Sequence, residues 1–362
     1  MQKYLCLIFL GVFCLSQAQD TKDFNFDLNY FKGYIPLHNN DILGLIQGQP
    51  EGFILSYNKK TFGKEEWEQR YNYPDYGASL IYQNLKNDIL GSPIGVYGHY
   101  NFYFLKRQLV LRIGQGIAYT SNPYDKIENS KNIAFGSHLL SSTYVMLNYK
   151  RERIFDLFGF QAGISFVHYS NANIKAPNTS VNTLALNMGL TYDIDKEQPE
   201  YVDSLIDEKF EEPLKYNFVF RTGINQSDVL GTSQHAFYIF SAYTDKRLSR
   251  KSAVQFGTEV FFSNFLKEQI AFDASAQFTE GITGDEDYKR LGVFVGHELF
   301  VNRFSVLTQL GYYAYYPFEF ENRVYLRAGL KRYFGDKWFG ALTLKSHGAK
   351  AEALEFGVGV RL

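Results

Sequence analysis

Between residues 153 and 169 the chain alternates strictly. Phe158, Phe160, Ala162, Ile164 and Phe166 share one face of an extended strand, and Gly159, Gln161, Gly163 and Ser165 share the other. A period of two marks a strand whose two faces meet different surroundings. Residues 182 to 193 repeat it, with Leu184, Leu186, Met188 and Leu190 opposed to Thr183, Ala185, Asn187 and Gly189. It recurs at 107–119, where Leu109, Leu111, Ile113 and Ile117 oppose Gln108, Arg112, Gly114 and Gly116. At 323–332, Val324, Leu326, Ala328 and Leu330 oppose Arg323, Tyr325, Arg327 and Lys331. The last residues, Leu354, Phe356, Val358, Val360 and Leu362 against Glu355, Gly357, Gly359 and Arg361, do the same. About sixteen such runs can be placed, with ends good to a few residues. They lie near 25–33, 50–58, 76–85, 93–105, 107–119, 136–149, 153–169, 182–193, 214–225, 235–245, 251–263, 289–300, 304–316, 322–333, 337–346 and 352–362.

Strands of this kind, apolar on one face and polar or small on the other, predict an all-β fold, a transmembrane antiparallel β-barrel of about sixteen strands. After the first 18 residues no apolar run is long enough for a membrane-spanning helix. The 28 Tyr and 33 Phe fit aromatic girdles at the two membrane interfaces. Short turns at Lys106-Arg107, Lys150 to Arg153, Asn302-Arg303 and Gly335-Asp336 fall on the side of both termini, which is therefore periplasmic. The longer loops at 120–135, 170–181 and 264–288 fall outside. Two long segments, 60–75 and 194–213, are periplasmic by the same count. The second is acidic, with Asp195, Glu197, Glu200, Asp203, Asp207, Glu208, Glu211 and Glu212.

That connector divides the strands evenly. The organisation expected is a signal peptide at 1–18, an N-terminal barrel half at 19–193, the connector at 194–213 and a C-terminal half at 214–362. A single cylinder is preferred, because each half alone would need its own closing strand pair. Fourteen strands, or two eight-stranded barrels, are the alternatives.

Met1-Gln2-Lys3, the apolar run Tyr4 to Leu15 and Ser16-Gln17-Ala18 have the three regions of a secretory signal, with cleavage expected after Ala18. Localisation in the outer membrane of a Gram-negative bacterium follows. Both cysteines, Cys6 and Cys14, lie within that signal, so the mature chain carries no thiol ligand or disulfide. A net charge of -1 removes nucleic acid from the partners.

Continuing the apolar register of 158–166 reaches His168 and Ser170, and stepping back from Leu184 reaches Asn182. A serine hydroxyl needs a base to become a nucleophile, and a histidine needs an acceptor to fix its tautomer. His168 and Ser170 supply the first two groups from one strand face, about 7 Å apart at their alpha carbons. Asn182, on the return strand, offers an amide oxygen to the ring. Asn171, Asn178 and backbone amides between them are the nearby donors for an oxyanion. Asp125-Lys126-Ile127-Glu128 could lend His168 a carboxylate, although a solvated loop is the preferred reading. The seven histidines show no metal-ligand spacing. No cofactor is expected, and dependence on a divalent cation is left open.

His168-Tyr169-Ser170-Asn171-Ala172, followed by Pro177-Asn178, resembles the active-site motif of PagL-type lipid A 3-O-deacylases, the acyloxyacyl hydrolase-like family of outer-membrane esterases. The match is close over 150–193 and looser from residue 50. The resemblance implies base and nucleophile roles for His168 and Ser170 and an oxyanion role for Asn178. The family's third residue is a Glu, and Asn182 stands in its place. The His-x-Ser-Asn run, with an Asn twelve positions after the Ser, also resembles outer-membrane phospholipase A. The length resembles the longer form of the deacylase family found in Bacteroidetes. The expected function is a serine esterase removing an acyl chain from lipid A or a related outer-leaflet lipid. A phospholipase A-like enzyme is one rival. A non-catalytic barrel or pore, with Arg112, Arg221, Arg323 and Arg327 lining its lumen, is another. A second copy of the chain is a candidate partner.

Overall fold

The computed structural model describes residues 23–196, 199–205, 210–276, 281–348 and 350–362. Residues 1–18 and Glu197, Asp207 and Glu208 of the connector lie outside this set. In the first strand, Phe24–Tyr34, Asn25, Asp27 and Asn29 are buried while Phe26, Leu28 and Tyr30 are exposed. Polar inside and apolar outside inverts the soluble pattern, as membrane strands require.

The described residues form sixteen strands. The first eight are β1 (Phe24–Tyr34), β2 (Glu51–Lys59), β3 (Asp75–Asn84), β4 (Ile94–Phe104), β5 (Leu109–Tyr119), β6 (Leu139–Phe155), β7 (Phe158–Ser170) and β8 (Val181–Asp193). The rest are β9 (Lys215–Gln226), β10 (Gln234–Arg247), β11 (Ser252–Ser263), β12 (Lys289–Val301), β13 (Phe304–Tyr315), β14 (Val324–Phe334), β15 (Trp338–His347) and β16 (Lys350–Arg361). Two helices lie in long connections, α1 (Glu66–Arg70) and α2 (Phe265–Ala276). Neither was expected from the sequence.

The sixteen strands close as two barrels of eight, not as one cylinder. Each half has the closing pair that the single-barrel preference judged missing. β1 pairs with β8 from Asn25↔Asp193 to Tyr34↔Leu184, and β16 pairs with β9 from Phe356↔Thr222 to Arg361↔Asn217. The reason is interior volume, since eight strands leave only enough room for side chains to fill. In the first barrel Arg112 Nη2 pairs with Asp27 Oδ2 at 2.6 Å, and its Nε donates to Asn101 Oδ1 at 2.6 Å. In the second, Arg327 Nη1 meets Glu259 Oε1 at 2.7 Å and its Nε meets Glu355 Oε2 at 2.6 Å.

Other expectations also shift. The turn placed at Lys150 to Arg153 falls at Asp156-Leu157, because β6 and β7 continue past an irregularity between Arg151 and Phe155. Arg323 lies outside the lumen, in an exposed pairing with Glu319 just before β14. Lys345 and His347 are buried within β15 beside Glu352, at 2.8 and 2.7 Å.

The barrels stand side by side with the same orientation. On the periplasmic side Tyr71 Oη donates to Phe300 O at 2.6 Å and Arg250 Nε lies 3.3 Å from Glu66 Oε1. The connector residue Tyr201 packs against Phe62 and Tyr73, so the two long periplasmic segments fold together.

Candidate functional site

Ile164 and Phe166 of β7 point outward and are exposed, and His168 continues their register, half-buried. Antiparallel pairing sets His168 directly opposite Asn182 of β8. Their side chains meet, with His168 Nδ1 2.6 Å from Asn182 Oδ1. An amide oxygen can only accept, so Nδ1 carries the proton and Nε2 keeps its lone pair. That is the tautomer a general base needs. Ser142 Oγ donates to the His168 carbonyl at 2.7 Å, fixing the backbone beneath the ring.

β7 ends at Ser170 and the chain turns sharply, with Ala172 and Asn173 at φ 55° and 60°. Asn tolerates this left-handed region, whereas Ala pays a steric cost of about 1 kcal/mol for it. The turn brings the Ala172 amide to Ser170 Oγ at 2.9 Å. Ser170 Oγ in turn donates to Asn178 Oδ1 at 3.0 Å, and the Asn171 amide donates to the same oxygen at 2.8 Å. With its oxygen so engaged, Asn178 is oriented and its amide hydrogens are taken by no other described residue. Asn171 is used differently, since its Nδ2 donates to Lys175 O at 2.5 Å and ties the loop to itself.

The structure thus brings His168 to Asn182 and Ser170 to Asn178. Among the described residues no hydrogen bond joins Ser170 to His168. Ser170 is also only 6% exposed, because the loop closes over it.

Asp125 does not serve His168. Its Oδ1 accepts from the amides of Ile127 and Glu128 at 2.7 and 2.9 Å. The Glu128 amide first, then that of Ile127, hold its carboxyl below the usual range. His38 is a neighbour that sequence reasoning missed. Its Nε2 lies 3.1 Å from the Thr179 carbonyl, a contact across 141 residues for which no local pattern gives a signal. Ile133 accepts from both the amide and the hydroxyl of Thr179, at 3.2 and 2.9 Å, so the loop before β6 also steadies the site loop. Among the described residues no three His, Cys, Asp or Glu side chains gather as metal ligands.

Strands with apolar outer faces closed around polar interiors define the class of outer-membrane β-barrel proteins. Residues 51–191 match the family described as lipid A 3-O-deacylase (PagL), and residues 214–362 match acyloxyacyl hydrolase, C-terminal domain. The chain belongs to this family of outer-membrane ester hydrolases acting on lipid A. No curated protein matches the chain. Solved structures similar to it include a mutant of Rhodopseudomonas blastica porin at 10% identity, covering 94% of this chain and 99% of the porin with a TM-score of 0.20. Another mutant of that porin, at 11% identity, covers 94% of this chain and 98% of the porin with a TM-score of 0.21.

Proposed function

We propose that the chain is a serine esterase that removes an ester-linked acyl chain from lipid A in the outer leaflet. Ser170 is the nucleophile, His168 the base and Asn182 the residue that orients it. Asn178 donates to the oxyanion, and Asn171 supports the loop. The observation that supports this reading is the 2.6 Å bond from His168 Nδ1 to Asn182 Oδ1, which leaves the Nε2 lone pair available as a base, two residues before Ser170 on the same strand.

In this mechanism Ser170 Oγ turns from Asn178 to the imidazole, and its proton passes to Nε2 as the oxygen attacks the ester carbonyl. The departing hydroxyl exposes Asn178, whose Nδ2 hydrogens, with nearby backbone amides, stabilise the tetrahedral oxyanion. Collapse expels the sugar alkoxide, protonated by His168. Water activated by the same imidazole then releases the fatty acid. Base and oxyanion contributions are each worth ~10² to 10⁴ in rate. Asn182 orients the ring but lends no charge to the imidazolium, so it stabilises that ion less than a carboxylate would. The outward register of His168 suits a substrate that arrives by lateral diffusion in the membrane.

An Asn in the orienting position favours one second reading, cleavage of a phospholipid ester. Interiors packed with ion pairs argue against a pore. The test is expression in a bacterium of defined lipid A, with lipid A and phospholipids weighed by mass spectrometry. Loss of one acyl group from lipid A with the wild-type chain, and not with Ser170→Ala, is expected. Loss that persists with Ser170→Ala rejects the mechanism, and lysophospholipid beside intact lipid A moves the substrate to phospholipid.

A further inference from the structure

The loop between Ser170 and Asn178 is held by the other barrel. Gln226, the last residue of β9, donates its amide to Asn173 O at 3.1 Å and accepts at its carbonyl from Asn173 Nδ2 at 3.0 Å. Its side chain reaches further along the same loop, where Oε1 accepts from the Ala176 amide at 3.0 Å. The other end of that side chain is fixed, because Nε2 donates to Thr232 O at 2.6 Å. Gln234, at the start of β10, donates from Nε2 to Ile174 O at 2.7 Å. Asn173, Ala176 and Gln226 are all buried at this junction.

These bonds fall on the turn that sets where Asn178 stands relative to Ser170. That turn contains Ala172 in a conformation the residue does not favour alone, so an outside hold is needed to keep it. We infer that the second barrel serves as a positioning element for the hydrolytic loop of the first, with Gln226 as its positioning residue. The inference rests on the esterase reading, and it assigns the C-terminal eight strands a task in the reaction. Gln226 touches no substrate; it acts through Ala176 and Asn173 on Asn178.

The experiment uses the full chain in detergent micelles with lipid A as substrate. It follows hydrogen exchange of the 171–178 segment together with kcat and KM. Gln226→Ala is expected to speed exchange in that segment and lower kcat roughly 10- to 100-fold while KM changes little, the size that a small misplacement of a reacting group produces. Gln226→Glu keeps an acceptor for the Ala176 amide and is expected to recover most of kcat. Tyr71→Phe loosens the barrels only at the periplasmic rim, and should leave both the segment and kcat unchanged. Unaltered exchange in Gln226→Ala overturns the brace. Faster exchange with unchanged kcat overturns its catalytic use. A wild-type chain that cleaves no lipid ester overturns the esterase reading and the catalytic use together, while the exchange data still report on the brace by itself.

Discussion

The lumen of the first barrel is built around Arg112 and Asp27 set among neutral amides, with Asn58 Nδ2 donating to Asp27 Oδ2 at 2.7 Å. The lumen of the second is built from carboxylates. Glu259 and Glu355 share Arg327, Glu298 takes Lys331 at 3.1 Å, and Glu352 gathers Arg290, Lys345 and His347. The outer walls differ in the opposite sense. Among the described residues only the first barrel carries a bonded His and Asn pair among the apolar residues of its wall, at the rim where a buried serine lies beneath a loop. The contrast teaches that charge inside such a barrel fills space and pairs off, whereas polarity on its wall asks for a functional reason.

Breaking the richer lumen should have the largest effect. Arg327→Ala removes the cation shared by two carboxylates of a closed interior, Glu259 and Glu355, leaving only Arg221 among the described residues, at 3.5 and 3.9 Å, and should destabilise the second barrel by about 3–5 kcal/mol. Arg112→Ala should cost the first barrel less, because it unpairs a single carboxylate, Asp27, which keeps donors from Asn29 and Asn58. The two tryptophans separate the barrels, since Trp67 lies against Tyr76 and Tyr100 of the first and Trp338 opens β15 of the second. Denaturant titration in micelles, followed by fluorescence in Trp67→Phe and Trp338→Phe backgrounds, should move the midpoint seen by the tryptophan of the damaged barrel. Equal shifts at both would mean that the two barrels unfold as one.

In the loop above the wall, Asn178→Ala removes the proposed oxyanion donor and the resting partner of the Ser170 hydroxyl. A loss of ~10² in kcat is expected, typical of one oxyanion donor. Single-turnover acyl release from lipid A measures it, and an unchanged rate would return the oxyanion to backbone amides alone.

The strands were legible because alternation is a local property, and each of the sixteen alternating runs lies near an observed strand. Closure was not. Phe26 meets Tyr192 and Phe356 meets Thr222 only through long-range pairing, and one sixteen-stranded cylinder or two eight-stranded ones demand the same alternation. The acidic connector between β8 and β9, which divides the strands evenly, was the cue present in the sequence. At the site, His168, Ser170 and Asn182 could be found by register. The turn that carries Asn178 to Ser170 could not, nor could the grip of Gln226, because both depend on a left-handed backbone and on a second barrel.

Asn182 offers a sharper test of the wall. Asn182→Ala leaves the imidazole without its orienting acceptor, and a fall of about tenfold in kcat is expected, less than the ~10² to 10⁴ that base catalysis as a whole contributes. Asn182→Asp should hold the ring as well and stabilise the imidazolium better, so kcat should match or exceed the wild type. The pair is read from kcat on lipid A at fixed pH. An Asp variant as slow as the Ala variant would mean that Asn182 acts by shape alone.

The smallest effect is expected at a His and Glu pair of the second barrel. His235, at the outer end of β10, has a carboxylate partner in Glu268 of α2, 2.8 Å from its Nε2, and Ser233 stands two residues away. The residue types are those of a hydrolytic triad. Yet both side chains are about a third exposed, at 32% and 35%, and the Glu268 carboxylate also accepts from the Ser233 amide. An exposed pair of this kind is worth about 0–1 kcal/mol and has no dry pocket in which to sharpen its chemistry. His235→Ala should therefore leave acyl release within about twofold of wild type. A deeper loss of lipid A cleavage would relocate the chemistry to the second barrel, and the contrast between the two walls would fall with it.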